Sequence, residues 1–362
     1  MRNPTIDIAK GIGIALVVAG HNHQLIPVDS EAFRVVFSFH VPLFLFLSGV
    51  FFKPQAGLVD LVRQRSGALL KPFFAVALAQ LAISMAMSGR FSPVAIAGIG
   101  YANGHTLNWS AMWFLPHLFL VFCGAWLLLN APPLRWLSAR FGARPVGATL
   151  VALLLPAGVA VISAFMQPDA PAGAFFGHAV GLPFSADLLP ISIGFFLAGH
   201  VAARAVLDFR FNAAGAIGCA AMFATLHLLF NESLDLNLRE YGNFTIATLE
   251  AFSGIYLALA ASALLARSAL LTRALSAVGA ASLFVLIFHA PIQGAAVFQL
   301  AKHTHLPAFV TGTLALLIAL IGSVLIAEAA KRLRWFGWLM LPRPAVRRAA
   351  VGLAGTVAER AA

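Results

Sequence analysis

Charge is scarce in this chain: Asp and Glu together number 13 among 362 residues, and all charged residues make up 10%. A water-soluble domain carries about 25% charged and about 45–50% apolar residues, so a solvated exterior cannot be assembled from this composition. Cysteine is scarcer still. Cys123 and Cys219 both lie inside apolar stretches, away from any CxxC or Cys/His spacing. That pattern gives neither a disulfide framework nor a zinc site and reads as two core thiols. What is abundant is apolar, at 60% of the sequence with a mean hydropathy of +0.89. Lipid is the solvent for most of it.

A bilayer-spanning helix takes roughly 20 mainly apolar residues, because about 30 Å of hydrocarbon is crossed at about 1.5 Å per residue. The sequence yields ten such runs, at about 6 to 26, 33 to 52, 67 to 88, 111 to 129, 146 to 166, 186 to 206, 213 to 230, 244 to 266, 276 to 299 and 308 to 329. The expected fold is therefore all-α and polytopic. Residues 1–330 form the membrane domain, and 331–362 form a basic tail in which Trp335, Phe336 and Trp338 stand beside Arg332 and Arg334, as at an interfacial anchor.

The formal net charge of +11 raises the question of a nucleic-acid partner, which the placement of the 24 Lys and Arg residues answers. Twenty fall on the side of the N-terminus: Arg2, Lys10, Lys53, Arg63, Arg65, Lys71, Arg135, Arg140, Arg144, Arg204, Arg210, Arg267, Arg273, Lys331, Arg332, Arg334, Arg343, Arg347, Arg348 and Arg360. The opposite side holds Arg34, Arg90, Arg239 and Lys302 with most acidic loop residues, including Asp29, Glu31, Asp169, Glu232, Asp235 and Glu240. By the positive-inside rule both termini are cytoplasmic, and topology with anionic lipid accounts for the basic excess without nucleic acid. A secretory-signal reading of the first run, with cleavage after Val17-Val18-Ala19, would leave nine spans and reverse this alternation.

Ionisable groups inside lipid cost several kcal/mol unless paired or hydrated, so each is a functional candidate. Helix rise places His21, His40, His117, His289 and Glu250 in the outer half of the bilayer. Asp7 and Lys10 lie at the cytoplasmic end of the first span, with Lys10 about 16 Å of helix below His21. A neutral imidazole suits a general base that deprotonates an attacking hydroxyl, and Lys or Arg at a cytoplasmic mouth suits a phosphate-rich donor. The structural alternative is a histidine that bonds a backbone carbonyl of a neighbouring helix, the expected role of His117 and His227. His200 reads as interfacial; His105, His178, His303 and His305 read as solvated.

Asp7-Ile8-Ala9-Lys10, followed by Gly11 to Gly20 and then His21, resembles the opening motif of acyltransferase family 3, a group of integral-membrane acyltransferases. Phe37-Ser38-Phe39-His40-Val41-Pro42-Leu43-Phe44 through Leu47-Ser48-Gly49 is similar to its second-span signature, in the form of the fucose 4-O-acetylase-like branch. Trp113-Phe114-Leu115, Leu236-Asn237 with Tyr241-Gly242-Asn243, and Phe288-His289-Ala290-Pro291 follow in the family's order, so the resemblance runs through nearly the whole chain.

The resemblance implies transfer of an acetyl group from cytoplasmic acetyl-CoA, with no metal, to a sugar hydroxyl of a cell-surface or exported polysaccharide or its lipid-linked precursor. It implies a bacterial inner membrane as the setting. His21 is the expected base; Lys10, paired with Asp7 in support of the donor or the local structure, and His40 are the further catalytic candidates. Lys10, Arg63, Arg65 and Lys71 are expected at the donor, although Arg65-Ser66-Gly67-Ala68 carries one arginine where the family has an Arg-x-x-Arg pair. Trp113, Asn243, Glu250 and His289 are expected at the acceptor. Direct transfer is expected over an acyl-cysteine, because neither cysteine lies near these residues. The rival reading is a polytopic transporter of a polar solute.

Overall fold

A computed structural model of the chain describes residues 3–28, 30–165, 174–175, 178–179 and 181–342. Arg2, Asp29, Asp169, Arg343, Arg347, Arg348, Arg360 and the side chain of His178 lie outside the described residues, as does most of the expected tail. The regular structure is helical apart from two short hairpins. In order come α1 (Pro4–Gly20), α2 (Glu31–Val50), α3 (Leu58–Arg65), α4 (Lys71–Ser88), α5 (Pro93–Tyr101), α6 (Phe114–Asn130), α7 (Pro132–Phe141) and α8 (Ala143–Phe165). After the hairpin β1 (Ala174–Phe175) and β2 (His178–Ala179) come α9 (Leu189–Val201), α10 (Ala203–Leu207) and α11 (Ala213–Phe230). A second hairpin, β3 (Leu234–Asp235) and β4 (Glu240–Tyr241), leads to α12 (Phe244–Leu265), α13 (Ala269–Ala280), α14 (Ser282–His303), α15 (Ala308–Arg332) and α16 (Arg334–Met340).

Nine helical runs among the described residues are long and apolar enough to cross a membrane. They correspond to the second through tenth expected spans. The first, α1, has 17 residues and spans about 25 Å at 1.5 Å per residue. It stops at Gly20, short of the expected 26, because the chain turns at His21 and Asn22. Three other runs depart from expectation. The third does not begin at 67: a five-residue π-helical turn, Ser66–Leu70, joins α3 to α4, so Arg63 and Arg65 ride on a helix and not in a loop. The sixth breaks after Val201 and starts from a 3-10 turn at Pro183–Leu188. The ninth is divided at Ala281 into α13 and α14.

Apolar side chains cover nearly every helix face, so small residues decide how closely helices approach, as is usual in membrane bundles. A Cβ on Gly49 of α2 would overlap the Phe196 carbonyl of α9, and one on Gly199 of α9 would overlap the Phe46 carbonyl of α2. The two backbones therefore touch at both glycines. One buried cluster gathers Leu43, Phe46, Phe122, Phe195, Phe196 and Leu259, while a second gathers Phe73, Phe284, Val285 and Ala319. Helix α1 belongs to both, with Ile6 and Ala9 in the first and Ile14, Val17 and Val18 in the second. His21, just past its C-terminal end, packs between Phe37 of α2 and His289 of α14, at the seam of the two clusters.

Candidate active site

Three helices bring a histidine to this seam, and each fixes its ring in the same way. Nδ1–H of His21 donates to the Val17 carbonyl at 2.8 Å, and Nδ1–H of His40 donates to the Val36 carbonyl at 3.0 Å. Nδ1–H of His289 donates to Val285 O at 2.8 Å and Leu286 O at 3.0 Å. In each helix the ring reaches back to the carbonyl four residues earlier. A carbonyl can only accept, so the hydrogen sits on Nδ1 and the lone pair on Nε2. The centroids of His21 and His289 are 5.3 Å apart in an edge-to-face arrangement, and Phe37 packs edge-on to His40 at 4.7 Å while lying 6.1 Å from His21. Nε2 of His289 is buried without a hydrogen-bond partner. Pro42 and Pro291 follow His40 and His289 by two positions, and neither can donate to the carbonyl one turn earlier, which loosens both helices at that level.

A cleft of about 190 Å³ opens beside these rings, lined among others by Gly20, His21, His23, Phe37, His40, Ser110, Trp113, Asp235 and Asn237. Trp113 ends the 3-10 turn Ser110–Trp113 ahead of α6 and is 4% exposed. No Lys or Arg is among the lining residues. The cleft combines aromatic walls, imidazole lone pairs and one carboxylate. No cluster of three or more His, Cys, Asp or Glu side chains among the described residues is arranged to hold a metal ion.

Three of the expected acceptor residues, His289, Asn243 and Glu250, do not line this cleft, and of these His289 stands behind it, edge-on to His21. Asn243 caps α12, its Oδ1 accepting from the amides of Thr245 at 3.1 Å and Ile246 at 3.3 Å. Glu250 is buried 2.7 Å from Nδ1 of His227, whose Nε2 lies 2.9 Å from Glu31, which in turn bonds Arg34 at 2.8 Å. His227 thus bonds two carboxylates where a backbone carbonyl was expected. His117 donates from Nδ1 to the Phe184 carbonyl at 3.2 Å and accepts at Nε2 from the Ser192 hydroxyl at 2.8 Å, which occupies both ring nitrogens.

About three turns of α1 before His21, Lys10 stands one turn beyond Asp7 and places its ammonium 5.1 Å from the Phe51 ring centre. The Arg65 guanidinium stacks 3.7 Å over Phe122, which packs with Phe52 and Phe196. His200 packs against the same Phe52 at 5.7 Å. Arg63 is exposed nearby in sequence on α3. Lys71 instead donates to the Trp338 carbonyl at 2.6 Å and to the Leu341 carbonyl, fastening α4 to the segment around α16.

The outer wall comes from residues that the sequence pattern did not mark as site residues. Asp235, Asn237 and Leu238 belong to the β3–β4 hairpin, in which Leu234 pairs with Tyr241 and Asp235 with Glu240. Arg239, at its tip, forms a two-pronged ion pair with Asp187, at 3.0 Å and 3.2 Å, with both side chains wholly buried. It also donates to the Asn237 carbonyl at 2.7 Å. Asp187 accepts from the Leu182 amide at 2.8 Å, so one ion pair joins the hairpin to the turn ahead of α9. Asp235 Oδ1 accepts from the amides of Asn237 at 2.8 Å and Leu238 at 3.1 Å. Burial nonetheless pushes its carboxyl up to about 6. The signal that could have found this wall is Leu236-Asn237, which belongs to the recognised motif order but has no chemistry legible from spacing.

Residues 3–328 match a family model described as an acyltransferase domain. No curated protein matches the chain. No solved structure matches it either.

Proposed function

We propose, because the chain belongs to the acyltransferase domain family, that this multi-pass membrane acyltransferase moves an acetyl group from cytoplasmic acetyl-CoA to a sugar hydroxyl of an exported or cell-surface polysaccharide, or of its lipid-linked precursor, in a bacterial inner membrane. The observation that carries the reading is the His21 ring: its Nδ1–H is tied to Val17, and its Nε2 lone pair belongs to a residue lining the cleft. A fixed neutral imidazole is a base for a hydroxyl that becomes nucleophilic as it attacks. Nε2 of His21 takes the hydroxyl proton while the sugar oxygen bonds to the thioester carbonyl carbon. The tetrahedral intermediate then expels CoA as thiolate, and the imidazolium returns the proton to that sulfur. The products are an acetyl ester and CoA-SH, with no net proton and no acyl-enzyme.

Lys10, Arg63 and Arg65 serve the donor's phosphates; this is supported by the place of Lys10 on α1, about three turns before His21, and of Arg63 and Arg65 in the last turn of α3. Lys71 acts there as an anchor for the carbonyls it already bonds. His289, edge-on to His21, fixes the ring plane, and Trp113 offers an aromatic face to the sugar. The test is to express the wild type and His21→Gln at equal levels in a producing cell and to measure O-acetyl ester on the exported glycan by NMR. Acetyl ester with the wild type and none above background with His21→Gln is expected; equal ester contents would refute the role of His21.

A further inference from the structure

The cleft has polar equipment that the transfer chemistry does not use. Asp235 is the one carboxylate on its walls, and one of its oxygens is occupied by the amides of Asn237 and Leu238. The other oxygen has no partner among the described residues. Beside it, Asn237 Oδ1 is buried and unbonded, packed against Gly104. Short loops normally satisfy such groups internally or turn them to bulk water. Here the hairpin is held rigidly instead, by the buried Arg239–Asp187 pair and by the bond from His105 Nε2 to the Asn237 carbonyl at 3.2 Å. Rigid support behind an unfilled carboxylate oxygen is the arrangement of a preorganised ligand site.

The charge pattern narrows the ligand. An aromatic wall of Phe33, Phe37 and Trp113 faces a cleft with one carboxylate and no Lys or Arg. Hydroxyl groups donate to a carboxylate and apolar sugar faces lie on aromatic rings, whereas a uronic or sialic acid would set a second carboxylate against Asp235 with no cation to compensate. We propose that the β3–β4 hairpin is the acceptor-reading element, and that Asp235 accepts hydroxyls of an uncharged sugar residue and rejects anionic ones. The proposal rests on the acyltransferase reading for the meaning of the sugar, but sugar binding can be measured without turnover.

Asp235→Asn is the informative variant: its amide oxygen still accepts from Asn237 and Leu238, so the hairpin keeps its turn, and only the charge and the outward acceptor are lost. Detergent-solubilised full-length protein is titrated with the methyl glycosides of glucose, galactose and mannose, each beside its uronate, by saturation-transfer NMR. Thermal melting serves as the fold control. At least one neutral glycoside is expected to bind the wild type, with its uronate at least about tenfold weaker. Asp235→Asn is expected to weaken the neutral ligand about tenfold and to shrink the gap to the uronate, as befits one charge-assisted hydrogen bond. A gap unchanged in Asp235→Asn, a uronate bound as tightly as its neutral partner, or no neutral glycoside bound by protein that melts cooperatively would each overturn the proposal. Acetyl transfer from acetyl-CoA, followed separately, reports on the underlying reading: sugar bound but never acetylated would overturn the transferase and leave the sugar site standing.

Discussion

His21, His40 and His289 differ from His117 and His227 in what their second nitrogen does. His117 and His227 have both nitrogens occupied, whereas the other three spend Nδ1 on their own helix and keep Nε2 uncommitted. Replacement should therefore act on different observables. His117→Ala strands a buried hydroxyl and a carbonyl and is expected to cost roughly 1–3 kcal/mol of stability, seen as a lower melting temperature. His289→Ala also empties a fully buried site and is expected to lower the melting temperature, but in addition to slow acetyl transfer per folded molecule, which His117→Ala should not, because His21 loses its edge contact. Asp235 adds a pH dependence with a definite sign. Its carboxyl is held near 6 by burial, with Glu240 pushing the same way and Arg239 and two amides opposing, so it is an anion at pH 7.5 and an acid near pH 5. A protonated carboxyl resembles the amide of Asp235→Asn. The ratio of the variant's Kd to the wild type's for a neutral glycoside should thus be greatest at pH 7.5 and approach one near pH 5; His21, His23 and His40 are common to both proteins and cancel. That His21, His40 and His289 meet at one level of the bundle was legible in the sequence, because position along a helix follows from a constant rise per residue. The partners of His227 and the place of Asp235 were not, since both depend on which helices and loops meet.

Among elements, the α2–α9 contact and the β3–β4 hairpin position the cleft. Gly49→Val forces a side chain into the Phe196 carbonyl and is expected to separate α2 from α9, lowering the yield of folded protein and the melting temperature together. The hairpin depends on one buried ion pair. Arg239→Met leaves the Asp187 charge buried and uncompensated, which typically costs about 3–5 kcal/mol, while the double variant with Asp187→Leu should recover much of the loss. Comparing melting of the two single variants and the double variant measures the coupling directly. Hydropathy identified the helical runs because lipid demands about 20 apolar residues in sequence. It missed the π-helical turn at Ser66–Leu70 and the break at Ala281, because neither interrupts the apolar run. The hairpin escaped it because two-residue strands carry no readable periodicity.

For the whole molecule, the claim is vertical: donor cations at one membrane face, base and acceptor cleft toward the other. Arg63 and Arg90 are both exposed and lie at opposite ends of the Leu58–Ser88 run. Single cysteines at these positions, in a chain lacking Cys123 and Cys219, test the orientation with a membrane-impermeant maleimide. Arg90→Cys should label in intact cells, and Arg63→Cys only after permeabilisation. The chemical claim is tested most directly by reconstituting purified protein in vesicles with radiolabelled acetyl-CoA and the producing cell's glycan fraction, comparing the wild type with His21→Gln. The account predicts label in glycan ester with the wild type and at least about a hundredfold less with the variant, the usual loss when a positioned base is removed. Equal labelling by the two proteins would contradict it.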